Sequence, residues 1–73
     1  MPTYRVAFTD PPADLLERLK PVLVGQGSPA LYVWPADGGG VEFAGPGGAF
    51  LVRARAADAL TTVWPGWQDR LAG

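Results

Sequence analysis

The 73-residue chain is 48% hydrophobic and 18% charged, and 6 basic against 7 acidic side chains leave a formal net charge of -1. That makeup describes one small domain, 1–73, and excludes a disordered tail and a membrane-spanning segment. Cys and His are absent, which removes disulfides, the usual zinc ligands and the commonest nucleophiles and proton shuttles.

Two expectations follow before any element is placed. A core of this size supplies only about 3–5 kcal/mol of net stability, so self-association is the expected further source. The segment Met1 to Asp10 has one basic residue and alternating polarity, without the basic stretch and apolar run of a secretory signal. A soluble, cytoplasmic protein with no membrane partner is therefore expected.

In chain order, Thr3 to Thr9 alternates, with Tyr4, Val6 and Phe8 on one side and Arg5, Ala7 and Thr9 on the other, which predicts a half-buried strand. Asp10-Pro11-Pro12 supplies a capping side chain and first-turn prolines, so a helix is expected from Pro11, with Leu15, Leu16, Leu19 and Leu23 at helical spacing. Pro21 should end this helix near Lys20 or kink it, and Gly25-Gln26-Gly27 should end it in any case.

Three short β-prone runs follow, Ala30 to Pro35, Gly40 to Ala44 and Ala49 to Arg55, separated by Asp37-Gly38-Gly39-Gly40 and Gly45-Pro46-Gly47-Gly48. A four-residue loop at Gly45 to Gly48 would set Phe43 opposite Phe50 and Val41 opposite Val52, with Glu42 facing Leu51 near Arg53. The first turn sets a second parity. An even loop pairs Trp34 with Phe43 in the core, whereas a three-residue loop pairs Pro35 with Val41 and Val33 with Phe43 and turns Tyr32 and Trp34 outward. We favour the odd loop, because a three-residue turn with a left-handed Gly is common and Val suits a sheet under leucine-rich helices.

Ala56, Ala59, Leu60, Val63 and Trp64 then return to helical spacing, Pro65-Gly66 breaks it, and Trp67 to Leu71 has room for one more turn. The expected fold is α+β in the order β-α-β-β-β-α, a four-stranded sheet with two helices on one face; the neighbour of the first strand is left open. The core should hold Tyr4, Val6, Phe8, Leu15, Leu19, Leu23, Val41, Phe43, Phe50, Val52, Leu60, Val63 and Trp64.

No catalytic constellation emerges. The one Ser lies in a Gly-Ser-Pro turn, the one Lys precedes a proline, and the carboxylates are scattered, so no enzyme, metal or cofactor is expected. The glycine clusters lead into predicted strands rather than helix starts, unlike a phosphate cradle. The expected function is a non-enzymatic protein-interaction module, a homodimer using the open sheet face or edge. Its partner-binding residues would be Arg5, Tyr32, Trp34, Glu42, Leu51, Arg53 and Arg55. Trp67, beside Pro65 and near Arg70, is a secondary contact candidate.

Nucleic-acid binding is one alternative: Arg53 and Arg55 share a strand face with stacking rings at Tyr32 and Trp34. From Pro11 to Leu71 the order helix, three strands, helix resembles the double-stranded-RNA-binding domain, which implies RNA contact. That family carries a basic cluster at the start of its last helix, where this chain has Arg55-Ala56-Ala57-Asp58. A small accessory or inhibitory subunit of a larger complex is the other alternative.

Overall fold

The alternation at the start of the chain becomes strand β1, Thr3–Val6, in a computed structural model that describes residues 1–25 and 31–72. Val6 and Phe8 are buried, Tyr4 is half-buried, and Arg5 and Thr9 lie in solvent. Past Val6 the backbone reaches an antiparallel bridge between Phe8 and Leu71. Thr9 N–H donates to the Arg70 carbonyl at 2.7 Å and Ala72 N–H to the Ala7 carbonyl at 3.0 Å, so the tail covers the outer edge at this end.

Helix α1 spans Leu15–Gly25 and starts later than Pro11. Asp10 sits at φ 52 and its carboxylate lies 3.3 Å from Arg70 Nη2, so it serves a turn rather than a cap. The two prolines lead into a turn in which Leu15 N–H donates to the Pro12 carbonyl at 3.2 Å. Pro21 does not end the helix. It lies on the exposed side of the helix, while Leu15, Leu19 and Leu23 stay buried on the other face. The expected break at Gln26-Gly27 and the start of the second strand at Ala30 lie outside the described residues.

Strands β2 (Tyr32–Ala36) and β3 (Gly40–Ala44) form a hairpin with Pro35 opposite Val41 and Val33 opposite Phe43. Its three-residue turn, 37–39, holds Gly38 and Gly39 at φ 79 and 84, values that glycine adopts without strain. The odd loop is therefore the observed one. Gly40 is required for a different reason: a Cβ there would lie 2.8 Å from Ala7 Cα and closer still to the Val6 carbonyl oxygen.

The third strand of the meander does not form. Ala49 to Arg55 belongs to helix α2, Ala49–Val63. Gly47 and Gly48, at φ 100 and 93, turn the chain out of the sheet instead of back along it. The residues beyond are rich in Ala, the strongest helix former, and Val52, Ala56, Ala59 and Leu60 are all buried at spacings of 4, 3 and 1. The Phe43–Phe50 and Val41–Val52 pairings are consequently absent. Phe50 is 86% exposed on the first turn of α2, whereas Val52 is a core residue of the helix.

The sheet is three-stranded in the order β1-β3-β2, with β3 antiparallel to both neighbours. β1 and β2 therefore run parallel to each other and are joined through α1, a split β-α-β unit. The order β-α-β-β-α lacks the helix, three strands, helix sequence, so the likeness to the double-stranded-RNA-binding domain does not hold. α1 packs over β2 and α2 over β1 and β3. Leu19, Leu23, Phe43, Val52 and Leu60 are the largest fully buried side chains, joined by Phe8, Val6 and Val41 in one core cluster. Ala56 and Ala59, both at 0% exposure, keep α2 close to its neighbours. The expected turn after Pro65-Gly66 is a short 3-10 helix, Trp67–Arg70.

Candidate interaction surface

Main-chain parity decides what each face and edge of the sheet presents. Gly45 N–H donates to the Pro2 carbonyl at 3.3 Å, so by alternation Val41 and Phe43 direct their main-chain groups to β1, and Gly40, Glu42 and Ala44 direct theirs to β2. On β2, Tyr32, Trp34 and Ala36 bond to β3, and Val33 and Pro35 turn their main-chain groups to the outer edge. Pro35, which has no N–H, sits where an edge strand tolerates it.

Side chains on the face away from the helices form two rows. Arg5, Glu42 and Trp34 lie opposite one another. Trp34 Nε1–H donates to Glu42 Oε1 at 2.8 Å, and Arg5 Nε lies 3.7 Å from Glu42 Oε2. The pair is exposed enough that it contributes only about 0–1 kcal/mol; what it provides is a fixed orientation for the indole. In the second row Tyr32 stands opposite Ala44, which in turn faces Thr3. Tyr32 is 55% and Trp34 40% exposed.

Four of the expected contact residues, Arg5, Tyr32, Trp34 and Glu42, are thus brought together. Leu51, Arg53 and Arg55 are not among them, because they belong to α2. Leu51 is exposed on its first turn, Arg55 is half-buried, and the Arg53 guanidinium lies 5.7 Å from the ring centroid of Tyr4, on the helix side of the sheet. Trp67 is buried rather than exposed. It is 4% exposed, its Nε1–H donates to Thr61 Oγ1 at 3.0 Å, and with Trp64 it flanks the ring of Phe8 at centroid distances of 6.5 and 5.0 Å.

Sequence reasoning missed the surface next to the aromatic pair. A cavity of about 550 Å³ lies where the last turns of α1 pass the β2 edge, lined by Lys20, Leu23 and Val24 with Leu31, Val33 and the two aromatics. Val24 stands 79% exposed at its rim. The helical spacing of Lys20 and Val24 beside the Leu15-Leu19-Leu23 stripe was the available signal. Among the described residues no group of three or more His, Cys, Asp or Glu is placed to hold a metal ion, and no helix is long and apolar enough to cross a membrane. No family model, no curated protein and no solved structure matches this chain.

Proposed function

We propose that this chain is a non-enzymatic protein-interaction module that acts as a homodimer through the sheet face bearing Tyr32 and Trp34 and the edge beside it. The observation that carries the reading is the exposure of these two rings on the side the helices leave uncovered, with Trp34 held by Glu42. Aromatic residues in a fixed orientation give large contact area at small entropic cost and dominate interface energetics. The apolar cavity at the same edge extends the surface.

The arrangement gives less support to nucleic acid. Stacking on bases requires cations beside the rings, yet Arg53 and Arg55 are on α2 and Arg5 is engaged by Glu42. Sedimentation velocity over a concentration series tests the proposal. The chain is expected to self-associate at micromolar concentration, and Trp34→Ala to weaken the association at least about tenfold. An unchanged association in Trp34→Ala would remove the aromatic face from the interface.

A further inference from the structure

β2 is an edge strand, and the groups it presents outward are few. Val33 offers both N–H and C=O, and Pro35 offers a carbonyl alone. A strand pairing here therefore has a preferred register. An antiparallel pairing centred on Trp34 would overlap all of β2 but set Pro35 against Val33 twice, each pair keeping the bond from the Val33 N–H to the Pro35 carbonyl and lacking its reciprocal. A pairing centred on Val33 loses nothing at its middle: the two Val33 residues exchange both bonds, and the Pro35 carbonyl falls opposite Leu31 of the other copy.

The side chains agree with that register. On the open face Tyr32 stands opposite the partner's Trp34 and Trp34 opposite the partner's Tyr32, and directly opposed aromatic pairs stabilise a sheet. On the helix side, α1 runs along β2 with Leu23 near Leu31 and Leu15 near Pro35. A two-fold axis at Val33 thus brings exposed Val24 to the half-buried Leu16 of the other copy. Lys20 lines the same cavity as Val33 and lies 3.7 Å from Glu17, so each copy brings an ion pair rather than a bare cation to this side of the seam. Met1 and Val24, each 79% exposed, with Tyr32 and Trp34, offer at most roughly 500 Å² per copy, or about 1,000 Å² for the pair, the lower bound for a specific interface.

We propose that two copies of this chain pair antiparallel along their β2 edges about a two-fold axis at Val33, joining their sheets into one continuous six-stranded sheet. The pairing is isologous, so it closes on itself and uses up the edge that would otherwise template further addition. It rests on the homodimer reading and specifies how that dimer forms.

The test uses two variants beside the parent chain. Val33→Pro removes the central N–H, which bonds nothing within its own sheet, and should raise the dimer dissociation constant roughly 10- to 100-fold. Val33→Cys introduces the single thiol of the chain at a site where a bonded antiparallel pair sets Cα atoms about 5.5 Å apart, within disulfide reach. Mild oxidation should convert it to a covalent dimer in far higher yield than Thr62→Cys, an exposed position on α2. If Val33→Pro fails to fold, the cross-linking decides. A parent chain that sediments as a dimer while Val33→Cys cross-links no better than Thr62→Cys overturns this pairing and leaves the homodimer reading standing. A parent chain that is monomeric throughout overturns both.

Discussion

Phe43→Ala is expected to leave the chain at least half unfolded at 25 °C. Phe43 is 0% exposed on the central strand, between Val33 and Tyr4 on the neighbouring strands, and it shares one core cluster with Leu19 and Leu23 of α1 and Val52 and Leu60 of α2. Truncating a buried Phe costs about 3–5 kcal/mol, from lost transfer energy and the cavity left behind. A single core of this size holds about 3–5 kcal/mol in total, so one substitution is enough to cancel the margin. Denaturation followed by far-ultraviolet circular dichroism measures it. A cooperative transition displaced by less than about 1 kcal/mol would mean that Phe43 is not the centre of the core.

Trp67→Ala should lower stability by about 3 kcal/mol and leave the association of the remaining folded chain unchanged. The indole closes one end of the core against Phe8 and donates to Thr61. It also begins the turn from which Arg70 to Ala72 reach Ala7 and Thr9, just past the end of β1. Losing the ring should loosen that tail, and hydrogen exchange at the Thr9 and Ala72 amides reads this separately from the global transition. Weaker association with an unchanged melting curve would instead make Trp67 a contact residue.

These two residues also mark how far the sequence could be read. The hairpin of β2 and β3 was legible as a hairpin with two possible registers; the odd one is observed, with Gly38 and Gly39 in the left-handed positions of a three-residue turn, and every side chain of β2 follows from that parity. The outward placement of Tyr32 and Trp34 came with it. The segment after Gly48 reads like a strand because Phe50-Leu51-Val52 is a short β-prone run and the preceding loop has a length that fits a hairpin. The helical signal was the Ala content and the Val52, Ala56, Ala59 and Leu60 spacing, which needed the longer window to outweigh a local pattern. With that strand went the places of Leu51, Arg53 and Arg55, since a period of 3.6 disperses residues that a period of 2 would align. Burial of Trp67 depends on Phe8 at the other end of the chain, a contact that no local pattern encodes.

The proposed homodimer is tested most directly by the melting temperature as a function of concentration, because a partner that binds only the folded chain stabilises it by mass action. Between about 1 and 100 µM the account predicts a rise of roughly 5–10 °C, given the shift per kcal/mol typical of a domain this small. A melting temperature that stays constant over that range would contradict it.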